Sequence, residues 1–190
     1  MFSKIATVAT LAVALPVAAA AQVNPPAVPT NLQVEAGYTP YLMAHAEGTQ
    51  NYICLLTQSG FAWTFLGPQA TLFDGAEQQV TTHYLSPNPV ESGAARATWQ
   101  HSIDSSAVWA AAIANSSNPA FVAANSIPWL LLRVVGDQAG PTGGASLVGT
   151  AFIQRVNTQG GIAPAAGCKS AGDIGKKALV PYTTDYVFYR

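Results

Sequence analysis

The sequence predicts an all-β protein: a single-domain antiparallel sandwich or barrel with long loops and one disulfide. Three observations carry this expectation. Short runs of alternating apolar and polar residues recur along the chain, separated by glycine, proline and asparagine turns. One run, residues 127–135, is nearly continuous in apolar residues and is followed by a glycine-rich loop and a second, alternating run at residues 147–158. The only cysteines are Cys54 and Cys168. Residues 127–135 are too few to span a bilayer, which takes about 20 apolar residues, and a short apolar run between turns reads as a buried strand. Pro128 stands at its start, where a missing N–H does least harm.

Taken in order, the first 21 residues read as a secretory leader. Lys4 gives a positive start, residues 5–17 are apolar, and Ala18, Ala19, Ala20 and Ala21 supply small residues for cleavage near Ala21. Residues 22–40 form a proline-rich lead-in, with Pro25, Pro26 and Pro29, and show no packing pattern. The all-β domain is expected over residues 41–190. Residues 41–45 make a first short strand ending at Glu47-Gly48. In residues 50–57, Gln50, Tyr52, Cys54 and Leu56 share one face, and a turn at Gln58-Ser59-Gly60 leads into a strand lined by Phe61, Trp63 and Phe65. Gly67-Pro68 is expected to break that strand before a short run at residues 70–73.

Residues 78–84 read as another strand, residues 86–97 as a long polar loop, and residues 98–101 as a short strand. Residues 107–114 are rich in alanine, which favours helix, but the surrounding short strands favour strand, and strand is expected. Residues 116–126 read as a loop with one helical turn. In the run at 147–158, Phe152, Gln154, Val156 and Thr158 share one face, while Ala151, Ile153, Arg155 and Asn157 share the other. A polar segment follows Cys168, and residues 185–190 close the chain as an aromatic strand with Tyr186 and Phe188 on one face.

The formal net charge is −1, and only 9% of residues are charged, against about 25% in ordinary domains. There is no basic patch to follow a phosphate backbone, which argues against nucleic acid as a partner. Beyond the leader no segment is long and apolar enough for a membrane span, so a secreted or periplasmic location is expected. In such a compartment an even pair of cysteines is most simply one bridge. Cys54 and Cys168 lack the C-x-x-C spacing of a redox pair.

The candidate site residues are His83, Trp99, His101 and Tyr182. His83 ends a strand and His101 follows Trp99-Gln100, so the polar loop between them could cover a cleft. Histidine serves as an acid or base near neutral pH, and Asp74, Glu77 and Asp104 flank these segments. The plainer reading is that His83 satisfies a backbone or hydroxyl partner at its strand end. Trp99 and Tyr182 lie outside the main apolar runs and are expected at the surface, where they could stack on a sugar or an apolar ligand. His45 and Glu47 share a strand face and could offer two metal ligands. That spacing is common by accident, and neither a metal nor a cofactor is expected. There is no G-x-S-x-G elbow, no P-loop, and no G-x-G-x-x-G after a strand in a βαβ unit.

In chain order, Gln50-x-Tyr52-x-Cys54, Trp63, Pro68, Leu72-Phe73-Asp74, His83-Tyr84, Trp99, Ile127-Pro128-Trp129-Leu130-Leu131-Leu132, Ile153-Gln154-Arg155-Val156-Asn157-Thr158, Gly160-Gly161, Cys168 and Val180-Pro181-Tyr182 resemble an exported bacterial and fungal family. It is catalogued as domain of unknown function thirty-four fifty-five. The resemblance covers residues 50–189 and implies secretion and a mostly β domain. It implies no established activity and therefore no catalytic residues. The segment at 85–97 is longer than its counterpart in that family. The function expected is a non-enzymatic binding or surface-associated module for a glycan, a cell-wall component or another protein. The alternative is a secreted enzyme using His83 with a nearby carboxylate on a small molecule or polysaccharide.

Overall fold

The computed structural model describes residues 22–190; the expected leader lies outside the described residues. Eight antiparallel strands close into one barrel in simple sequence order: β1 (Pro40–Thr57), β2 (Gly60–Phe73), β3 (Gln79–Asn88), β4 (Ala94–His101), β5 (Ala107–Ser116), β6 (Trp129–Gln138), β7 (Phe152–Gly160) and β8 (Lys177–Tyr189). β8 pairs back onto β1, from Pro40 opposite Tyr189 to Ile53 opposite Lys177. Of the two architectures expected, the barrel is the one adopted. Closure removes the free edges that a sandwich would leave.

β1 and β2 are longer than the sequence suggested. Residues 41–45 and 50–57 form one strand, because Gly48 does not end it. A Cβ on Gly48 would stand 2.0 Å from the Gln69 carbonyl oxygen, so glycine here lets β2 cross β1 at close range. Gly67-Pro68 bends β2 without breaking it. Gly67 takes φ +147°, and the register shifts at Asn51/Tyr52 across the ladder, a bulge that re-aims the strand. The supposed loop at 86–97 is the hairpin of β3 and β4, turned by a short 3₁₀ segment at Pro89–Glu91. Asn88 caps that turn by accepting from the Val90 N–H. β7 starts at Phe152, so residues 147–150 belong to the preceding turn, and β8 begins at Lys177, well before residue 185.

The chain builds two cores. The first fills the barrel with Ala44, Ala46, Leu72, Trp99, Val108 and Phe188, among others. The second lies outside the wall of β6–β8, where Trp129, Leu131, Phe152, Val156 and Tyr189 pack with Leu32 and Val122. The expected alternation in β7 is met, with Ile153 inside the barrel and Phe152 and Val156 outside. The lead-in, in which the sequence showed no packing pattern, covers this outer core. Leu32 is fully buried, and Val23, Val28 and Val34 pack against the same cluster. Gln154 ties it down, giving its amide N–H to the Leu32 carbonyl at 2.6 Å and accepting the Tyr189 hydroxyl at 2.6 Å. On β1–β3 the outward positions include the polar His45, Glu47, Thr49, Thr71 and Thr82 beside Phe73.

The two ends of the barrel differ. At the lower end, Leu147 is wholly buried in the inner core. Its segment is fastened by Asp104, which accepts from Ser106 N–H and Oγ and from Ser146 N–H. At the upper end the β1–β2 hairpin stands beside the segment after β7. Cys54 is bonded to Cys168 across 114 residues of chain, as expected, and Trp63 Nε1 donates to the Ala166 carbonyl.

Candidate functional site

Strand pairing sets Ala70, His83, Trp99 and Val108 at one level around half the barrel. Alternation turns His83 and Trp99 inward. The imidazole of His83 stacks on the Trp99 indole, and the Tyr186 ring meets both edge-on at 5.1 and 5.2 Å. These rings floor a cavity of about 300 Å³ in the upper barrel. Its walls include Pro68, Leu85, Ala97, Ala110, Leu130 and Leu132, with Gln50 and Arg155 also reaching it. The opening exists because β4 pairs β5 only from Ala97 to Gln100, so their upper parts diverge. Phe65 and Leu85 line the cavity and are substantially exposed. A larger groove, about 540 Å³, lies on the outer wall between Asn51, Gly67, Tyr84 and Leu179. The inner cavity is the better candidate because polar groups converge in it on an apolar enclosure.

His83 is 4% exposed. Its Nδ1 lies 2.9 Å from the Thr98 carbonyl, so Nδ1 carries the proton and donates. Burial lowers its pKa from 6.5 to about 3; the Thr98 carbonyl opposes that shift and the Arg155 charge adds to it. The ring is therefore neutral at ordinary pH and is held in one tautomer. Arg155 comes from the inner face of β7, opposite Tyr186, and gives Nε and Nη2 to the Pro128 carbonyl at 3.2 and 2.7 Å. Among the described residues, Gln50 Nε2, Trp99 Nε1, Tyr182 OH and Tyr186 OH are buried and make no hydrogen bond of good geometry. The hydroxyls of Tyr182 and Tyr186 lie beside one another, with Gln50 next to the first and Arg155 next to the second. Burial, chiefly, raises both phenol pKa values.

Of the four residues singled out in sequence, three belong to one neighbourhood. Trp99 and Tyr182 are not surface residues; they are 0% and 2% exposed. Both occupy inward strand positions; the strand expected at 98–101 begins earlier, at Ala94, and small residues there (Ala95 and Ala97) had read as loop. Tyr182 packs behind the floor next to Tyr186 and Gly161. His101 stands apart at the lower end, 3.1 Å from Asp104. His45 is on the outer wall with Asp185, at 2.8 Å. The carboxylates considered as partners for His83 are engaged elsewhere: Asp74 accepts from Ala76 and Gln78 N–H within its own turn, and Asp104 from Ser106 and Ser146.

Sequence reasoning gave no role to Gln50, Arg155 or Tyr186. The available signal was that Arg155 alternates with Ile153 on a face that had to be buried.

A family model described as "Protein of unknown function (DUF3455)" matches residues 35–190. No curated protein and no solved structure matches the chain.

Proposed function

Since the chain belongs to that family of unknown function, its role must be read from its own barrel, and we propose that it is a non-enzymatic binding module that takes a small molecule into the upper lumen. The observation that carries this reading is the pairing of an aromatic floor, His83, Trp99 and Tyr186, with the polar side chains of Gln50 and Arg155 around a cavity of about 300 Å³. Small-molecule sites have this character: mostly apolar, concave and pre-formed, with a few polar groups to orient the guest. Exposed Phe65 and Leu85 provide an apolar approach. A neutral His83 fixed to a carbonyl, with no carboxylate beside it, is suited to shape the floor rather than to move protons. The module works outside the cytoplasm, in keeping with its disulfide.

The test is a thermal-shift screen of small apolar and amphipathic compounds, run on the natural protein and on Ala97→Phe, which fills the cavity wall. Compounds that stabilise the first and not the second support the lumen site. A screen in which stabilisation is indifferent to Ala97→Phe rejects it. Conversion of any hit to product, lost in His83→Gln, would replace the binding reading with the enzymatic one.

A further inference from the structure

The chemistry around the cavity is unbalanced in one direction. Two arginines reach it. Arg96 is matched, its Nε and Nη2 held by Glu91 at 2.7 and 2.8 Å. Arg155 is not: among the described residues it donates to the Pro128 carbonyl, the Tyr186 hydroxyl lies beside it, and no carboxylate pairs with it. A guanidinium has five N–H donors in a planar fork, so the two bonds to Pro128 leave most of the fork unspent. Among the described residues no aspartate or glutamate lines the cavity. The remaining polar side chains there, Gln50, Tyr186 and Trp99, carry no negative charge, and the Tyr186 hydroxyl sits between Arg155 and Tyr182. His83 is uncharged and turned to Thr98, so it neither repels nor replaces a charge.

A cation withdrawn from bulk water with no counter-charge is unfavourable unless something supplies one. A carboxylate fits the arginine fork in two parallel hydrogen bonds. The other walls, Ala97, Ala110, Leu130 and Leu132, offer no polar side chain and suit an apolar body. We propose that the ligand of the lumen is a small amphipathic anion, a monocarboxylate whose head meets Arg155 and the Tyr186 and Gln50 donors while its apolar body lies against the His83–Trp99 stack.

This rests on the lumen-binding reading, and its test separates the two. Isothermal titration of the natural protein with 2-naphthoate and with its neutral isostere 2-naphthamide, and likewise with decanoate and decanamide, needs no mutation. At least one carboxylate should bind tenfold or more tighter than its amide, and added salt should narrow that gap. Arg155→Met should bring the pair within about threefold of each other, and Arg155→Lys should restore part of the preference. An amide that binds as well as its carboxylate overturns the anion assignment and leaves the lumen site standing. No heat from any of the four overturns both.

Discussion

The imidazole of His83 lies flat on the indole of Trp99, with ring centroids 4.1 Å apart and planes inclined by 11°. Their backbones are directly paired on β3 and β4, so the stack is a cross-strand pair of the kind that steadies antiparallel sheets. His83 also holds the Thr98 carbonyl of the same partner strand. Replacing it with alanine removes the stack and leaves a buried acceptor unserved, which costs about 1–3 kcal/mol for the lost partner alone. His83→Ala should therefore lower the urea midpoint by a corresponding amount. An unchanged midpoint would remove the structural role assigned to this residue.

The same burial makes the barrel sensitive to acid. His83 stays neutral in the folded chain down to about pH 3, whereas the unfolded imidazole binds a proton near its ordinary 6.5. Between those values the unfolded state carries more protons, so this contribution is complete above the upper value and is lost as the pH falls toward the lower one. The slope per proton is at most about 1.4 kcal/mol per pH unit. Glu91, Asp104 and Asp173 have lowered pKa values, so their contributions are lost only at lower pH, below about 4. Denaturation midpoints measured from about pH 7 to 4.5 should fall steadily for the natural protein and stay flatter for His83→Gln.

How far the site could be read from sequence follows from what each signal depends on. The inner and outer faces of β7 were visible because alternation is local: Ile153 and Arg155 against Phe152 and Val156. The depth of Trp99 was hidden because only the second half of its strand was legible: the first half is Ala94, Ala95, Arg96 and Ala97, residues with little strand character on their own. Gly48 and Gly67-Pro68 read as breaks because the sequence cannot distinguish a glycine that ends a strand from one that lets two strands cross. The lead-in has no regular element beyond a 3₁₀ turn at Thr30–Leu32, so it imposes no period. The convergence of Gln50, His83, Arg155 and Tyr186 arises only when β8 closes on β1, a pairing between the two ends of the domain that no local pattern announces.

Gly48 offers a direct check on the crossing of β1 and β2. An added methyl would meet the Gln69 carbonyl and both Cα and Cβ of Ala70 at 2.0–2.7 Å. These are backbone or backbone-fixed atoms, so the strands themselves must separate. Gly48→Ala should cost about 3 kcal/mol, the upper end for overpacking, or prevent folding outright. Gly75→Ala, with nothing within 4 Å of its Cβ, serves as the neutral control by thermal melt.

The bridge from Cys54 to Cys168 constrains most of the domain. Replacing both cysteines with serine should cost about 2–5 kcal/mol. The loss should be felt first at the upper end, where the segment after β7 meets the β1–β2 hairpin through Trp63 and Ala166. Amide exchange in residues 161–176 should accelerate more than in β4 or β5. Uniform acceleration would mean that the bridge acts only on the unfolded chain.

The outer core depends on Gln154, a buried amide that serves two partners at once: the Leu32 carbonyl of the lead-in and the Tyr189 hydroxyl of β8. It is 2% exposed, so water cannot readily replace either bond. Gln154→Ala orphans both groups, and each orphan costs about 1–3 kcal/mol. Leu32→Ala instead keeps the backbone carbonyl and deletes a fully buried side chain, a loss of about 2–5 kcal/mol. The two changes strike the same attachment, so together they should cost less than the sum of their separate effects. If the lead-in merely rests on the wall, each change will be small and the pair additive. If it is part of the folded unit, each single change will shift the global melt and raise protease cleavage within residues 22–38. The second pattern is expected, because residues 30–34 complete the cover over Trp129, Leu131 and Phe152, and without it those side chains would face water on the outside of the barrel.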